Sequence, residues 1–267
     1  MGILKNEYLD SPKAYSMCYG TRVVKKAKEL ENHYKITAIR GGLAANVELT
    51  YNYANGFAHP TLWIIPQEKK RNMIPVHWGL IPPYELGANA KAYYAKTIKY
   101  GSGLNARSEK LFDSNNYKSS ALTRRCIVPV DGFYEPHTAQ KNGKDFKVPF
   151  YFQRKNETPI NLAGIYAVTK DKMVTFSILT KEATPLFAKI HNKKFRRPVI
   201  LQDDDIDVWL DDTLTESDVQ NVMDDDLPDE LLQTYPISKD LYKRNGAGDR
   251  PDIIRRVDYK EVEIAYW

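Results

Sequence analysis

Between residues 61 and 180 the chain carries six short runs of β-branched and aromatic residues, each bounded by Pro, Gly, Asn, Asp or Lys, and this recurrence confines it to a sheet-built fold. The runs cover 61–65, 74–80, 126–134, 149–153, 160–168 and 174–180. Helical patterning is sparser. A Lys-, Glu- and Ala-rich segment at 23–34 reads as a short helix. Residues 182–191 read as another, because Pro185 falls in its first turn, where a missing N–H does no harm. That helix delivers His191 at its end. Further helices are expected at 206–211 and from Glu216, with late strand-like pieces at 232–236 and 262–266. The expected architecture is a single α+β domain, a mainly antiparallel, barrel-like curved β-sheet with peripheral helices. A chain of 267 residues with 42% hydrophobic and 12% aromatic content fills one such core, and no internal repeat or low-complexity linker divides it.

Charge is unevenly placed. Residues 201–267 hold 7 Lys and Arg against 19 Asp and Glu, a balance of −12, which leaves +17 for residues 1–200 although the chain as a whole carries +5. A basic body suits a polyanion, since each neutralised phosphate releases counterions. The same lysines also suit a plain solvated surface, and charge alone leaves both readings open. The acidic runs Asp203-Asp204-Asp205 and Asp224-Asp225-Asp226 read as turns and helix caps rather than metal sites. Cys18 and Cys126 are too few for a disulfide scaffold and lack metal-ligand spacing. No stretch reaches the roughly 18 apolar residues of a membrane helix, and the first sixteen residues lack a secretory apolar run. A cytoplasmic protein without metal or cofactor is expected, nucleoid-associated if bacterial.

Four stretches carry chemistry: Met17-Cys18-Tyr19-Gly20; Trp78-Gly79-Leu80-Ile81-Pro82; Leu104-Asn105-Ala106-Arg107-Ser108-Glu109; and Arg124-Arg125-Cys126 through Asp131-Gly132-Phe133-Tyr134-Glu135. Ile190-His191-Asn192 and Arg196-Arg197-Pro198 join the last of these. Each alone has a bland reading. Arg107 suits a surface ion pair, Glu135 a strand end, His191 a helix terminus and Trp78 the core.

Together and in this order they resemble the SOS response-associated peptidase (SRAP) family of abasic-site sensors. The likeness runs from Met17 to about Leu210, with weaker echoes at Tyr235-Pro236-Ile237-Ser238. It divides the chain into an extension, 1–16, and a domain, 17–267. The resemblance implies a partner, single-stranded DNA containing abasic sites, a monomer, and roles in DNA damage, DNA repair and the SOS response. It implies Cys18, Asn105, Glu135 and His191 as catalytic residues, and Arg107, Trp78, Arg124, Arg125, Arg196 and Arg197 at the DNA.

The chemistry requires a chain-terminal cysteine. The open form of an abasic deoxyribose is an aldehyde; an amine forms an imine with it, and a thiol on the adjacent carbon closes a five-membered thiazolidine. An α-amino pKa of about 7.7–8.0 leaves roughly a tenth of the amine neutral at pH 7, against well under about a thousandth for lysine. By the resemblance His191 donates a proton to the sugar ring oxygen, Glu135 moves protons on the amine and carbinolamine, and Asn105 orients the sugar. Arg107 would hold a phosphate with its planar fork, and Trp78 would stack on a base.

Three departures from the family pattern stand out. Pro136-His137 replaces the Trp that usually follows the Glu, and His191-Asn192-Lys193-Lys194-Phe195-Arg196-Arg197-Pro198 is longer and more basic than the usual His-Asp-Arg-Met-Pro. Seventeen residues precede Cys18, so a free amine requires either translation from Met17 followed by methionine removal, the expectation here, or cleavage of the extension. Two other functions remain open: a cysteine peptidase or hydrolase using Cys18 and His191, and a noncovalent binder of single-stranded nucleic acid.

Overall fold

The computed structural model describes residues 19–44, 46–225, 227–243 and 246–262. Met17 and Cys18 lie outside the described residues, as do Asp226 and all but Val262 of the expected 262–266 strand; Val262 itself is not in a strand. Fourteen strands are described: β1 Gly20–Val23, β2 Thr37–Ala38, β3 Tyr51–Asn55, β4 Thr61–Pro66, β5 Asn72–Trp78, β6 Asn105–Arg107, β7 Arg125–Val130, β8 Gly132–Lys141, β9 Lys144–Arg154, β10 Ile160–Val168, β11 Val174–Glu182, β12 Arg196–Pro198, β13 Ile200–Leu201 and β14 Leu232–Pro236. The helices are α1 Ala27–Tyr34, α2 Ala90–Thr97, α3 Lys118–Ala121, α4 Pro185–Ile190, α5 Ile206–Trp209 and α6 Glu216–Asp224.

Five strands close into a ring. β5 pairs with β4, β4 with β7, β7 with β10 and β10 with β11, all antiparallel, and β11 returns to β5 in parallel. An odd number of strands cannot alternate direction all the way round, so one parallel contact is unavoidable. Side chains alternate between the two faces of these strands. Leu62, Ile64, Val76, Trp78, Val128, Leu162 and Phe176 belong to one buried cluster. Trp63, Ile65, Ile127, Ala163 and Ile165 belong to a second, where they meet Leu30, Trp209, Val219 and Met223 of α1, α5 and α6. The fold is thus the expected α+β barrel with peripheral helices.

A second, antiparallel sheet runs β14-β9-β8-β1-β3 and shares the first cluster through Val23, Ala54, Phe133, Phe150 and Phe152. The expected strand 126–134 is in fact two strands: β7 ends in the barrel and β8 begins in the second sheet, with Asp131 alone between them. The carboxylate of Asp131 accepts from the Val24 and Lys25 N–H groups at 2.5 and 3.0 Å and from Lys25 Nζ at 2.6 Å. Those bonds divert the chain after β1, so the helix expected from residue 23 starts at Ala27.

Candidate functional site

Glu135 sits on β8, and α4 carries His191 to it. Pro185 occupies the first turn of α4, and His191 is its C-cap, its N–H donating to the Phe187 carbonyl at 2.7 Å. Phe187 docks the helix by stacking on Phe152, 4.6 Å between ring centroids, and on Phe133 at 6.1 Å. His191 and Glu135 are both fully buried, with Nδ1 3.4 Å from Glu135 Oε2. The same nitrogen lies 3.0 Å from the Arg196 carbonyl. A carbonyl only accepts, so Nδ1 carries the hydrogen in that bond.

Two neighbours of these residues fasten the geometry. His137, two positions along β8 from Glu135, donates from Nδ1 to the Ile190 carbonyl at 3.0 Å. The Asn192 side chain accepts from the Thr138 N–H and donates to the Thr138 carbonyl, both at 2.9 Å. Burial lowers the His137 pKa and outweighs the bond to Ile190, which raises it, so the ring stays neutral near neutral pH. Both residues lie in the stretches that depart from the family pattern. Sequence reading missed them, because their partners are main-chain atoms more than fifty positions away.

Tyr19, which follows Cys18, enters the second sheet beside this pair. Gly20 is in register with Tyr134, one residue before Glu135. The Tyr19 carbonyl accepts from Gly56 N–H at 2.7 Å, and a Cβ at Gly56 would lie 3.1 Å from both that oxygen and Leu104 Cδ1. Glycine there lets the start of β1 and the residue before Asn105 converge. The Tyr19 ring packs near Phe57 and Tyr242, at 5.4 and 6.5 Å. Burial holds the Tyr242 hydroxyl well above the usual phenol range, and Tyr19, Tyr53 and Glu135 push the same way. The phenol therefore stays protonated.

Asn105 and Arg107 stand at the two ends of β6, which runs parallel to β11 with Asn105 opposite Ile178 and Arg107 opposite Thr180. Asn105 is partly buried and Arg107 is exposed. Arg196, on the other side of β11, holds Glu109 in a two-point contact at 2.5 and 2.9 Å. Arg124 is half-buried, 4.0 Å from Glu68.

Three residues expected at the DNA are interior instead. Trp78 is fully buried and donates from Nε1 to the Leu104 carbonyl at 2.8 Å, which makes it barrel core rather than a stacking surface. Arg125 is buried too, its guanidinium bonded to the carbonyls of Trp209, Ala121, Leu122 and Asp211. Arg197 is 3.1 Å from Asp229 and lies over the Phe187 ring at 4.4 Å, bracing α4 from within. Among the described residues no group of three His, Cys, Asp or Glu converges as a metal site, and no helix is long and apolar enough to cross a membrane. Asp203 accepts from Arg154 at 2.7 Å and Asn161 at 2.8 Å.

The fold is an α+β barrel with a second sheet, and it holds a buried carboxylate, Glu135, against the imidazole of His191, with Arg107 exposed on β6. The chain belongs to the SOS response associated peptidase (SRAP) family, whose sequence profile matches residues 17–244. It is 28% identical over 182 residues to the abasic site processing protein YoqW of Bacillus subtilis, spanning 66% of this chain and 74% of that one. It is 26% identical over 220 residues to the abasic site processing protein HMCES of Gallus gallus, spanning 73% of this chain and 61% of that one. A crystal structure of a protein from Bacteroides thetaiotaomicron shares the fold with a TM-score of 0.75 at 26% identity, covering 90% of this chain and all of that one.

Proposed function

We propose that the protein processes abasic sites in single-stranded DNA by capturing the sugar aldehyde on Cys18, once that residue carries a free amine. The observation that carries this reading is the buried Glu135–His191 contact of 3.4 Å, with Tyr134, the residue before Glu135, in register with Gly20 of β1, the strand that Cys18 precedes in sequence. The family match begins at residue 17, which supports Met17 as the effective start.

The reaction balances with water as its only leaving group. His191, with Nδ1 hydrogen-bonded to the Arg196 carbonyl, offers Nε2 to exchange a proton with the sugar ring oxygen as the ring opens. The Cys18 amine adds to the aldehyde carbon, Glu135 moves the proton from nitrogen to the carbinolamine oxygen, and water departs to leave an imine. The thiolate then adds to the imine carbon, forming the C–S bond and the thiazolidine; the nitrogen takes up one proton. Asn105 orients the sugar through its amide, and exposed Arg107 holds a neighbouring phosphate.

The test is incubation of abasic single-stranded DNA with two forms of the protein, one starting at Cys18 and one with the full chain. A heat-stable band on a denaturing gel, formed without borohydride by the Cys18 form and lost in Cys18→Ala, is the expected result. Absence of the band from both forms would refute the proposal.

A further inference from the structure

We infer that Phe195 is the stacking platform for a nucleobase flanking the abasic sugar. The inference rests on the proposed function and assigns it a contact that neither Trp78 nor the position after Glu135 can make, since Trp78 is core and that position holds Pro136.

Phe195 is 52% exposed, among the most exposed large apolar side chains described. Its backbone is left-handed, with φ at +52°, a conformation that disfavours bulky side chains and suits Gly or Asn. That conformation is imposed from both sides. The Phe195 N–H donates to the His191 carbonyl at 3.0 Å, and its own carbonyl accepts from Ala183 N–H at 3.0 Å. A turn needing only this backbone path would be cheapest with glycine, yet the chain places an aromatic ring there and turns it to solvent. Strained, exposed positions of this kind cluster at binding sites.

Its location fits a flanking base. The residue lies four positions beyond His191, and the next residue, Arg196, reaches Glu109 in the turn that follows Arg107. The ring thus stands on the turn between His191 and Arg196, with Lys194 beside it in sequence and Lys193 at 3.3 Å from Asp145. A phenyl ring offers a π-face and no hydrogen-bonding group, so the expected recognition is of any base and not of a sequence.

The experiment uses the form starting at Cys18 and a fluorescent single-stranded oligonucleotide with a tetrahydrofuran abasic analogue, which has no aldehyde and reports binding alone. In one oligonucleotide the analogue is flanked by bases; in a second the flanking positions are analogues too. Phe195→Ala is expected to weaken binding about tenfold on the first and leave the second unchanged, with Phe195→Trp close to wild type on both. A 2-aminopurine placed beside the analogue should be quenched by the wild type and not by Phe195→Ala. Phe195→Gly separates binding from folding: glycine adopts the left-handed backbone without strain, so its melting temperature should hold or rise while affinity for the base-flanked strand falls. Equal affinities for wild type and Phe195→Ala, or equal losses on both oligonucleotides, would overturn the inference. A normal adduct with abasic DNA alongside unchanged affinity in Phe195→Ala removes the stacking role and leaves covalent capture standing; a Phe195-dependent affinity with no adduct does the reverse.

Discussion

Glu135 and His191 meet because their neighbours hold main-chain atoms. Asn192 bonds both main-chain polar groups of Thr138, its amide accepting on oxygen and donating from nitrogen; an aspartate in its place would set a second oxygen against the Thr138 carbonyl. Asn192→Asp is therefore expected to cost about 2 kcal/mol of stability and to slow adduct formation on the order of tenfold, while affinity for the tetrahydrofuran oligonucleotide stays within about twofold. Thermal melts and single-turnover gels read the two effects, and an unchanged adduct rate would detach the clamp from the chemistry. That Glu135 and His191 lie together was legible from the order of their motifs in the sequence. Whether a given arginine faces outward was not. Arg125 and Arg197 break the rule that charged side chains stay exposed, and they do so by bonding carbonyls and an aspartate supplied by the acidic C-terminal region.

At the scale of elements, one residue carries the chain from barrel to second sheet. A Cβ at Gly132 would stand 2.4 Å from the Phe152 carbonyl oxygen and 2.5 Å from the Tyr151 ring, so no side chain fits where β8 begins. Gly132→Ala is expected to destabilise the fold by about 3 kcal/mol, read as a lowered denaturant midpoint with an unchanged slope. Most strands were legible from composition, and β10 and β14 match their expected bounds at 160–168 and 232–236. α2 was not, because none of its residues is buried and no apolar stripe marks it. β1 was not read either, and its last residue, Val23, fell in the helix expected at 23–34, since the bonds that end the strand come from Asp131, more than a hundred residues away.

Across the whole molecule the acidic tail pairs with the basic body. Asp203 holds Arg154, Asp229 holds Arg197 and the Thr184 hydroxyl, and Asp249 accepts from the N–H groups of Asn52 and Tyr53. One histidine sets a pH dependence for the assembled fold. His59 is stacked on Tyr94 at 3.4 Å between centroids, and burial lowers its pKa to about 4, against about 6.5 in an unfolded chain. Between those values the unfolded chain binds a proton that the fold refuses, so stability falls as pH drops through that window, by up to roughly 3 kcal/mol from this group. Melting temperatures measured from pH 7 to 4 should fall, and His59→Asn, which tolerates the positive φ of this position, should flatten the slope. The central claim is chemical, and intact mass spectrometry of the adduct between the Cys18 form and an abasic oligonucleotide tests it most directly. The account predicts the summed mass of the two components less one water, unchanged by borohydride, as a closed thiazolidine requires. A gain of two hydrogens on borohydride treatment would identify an open imine and contradict it.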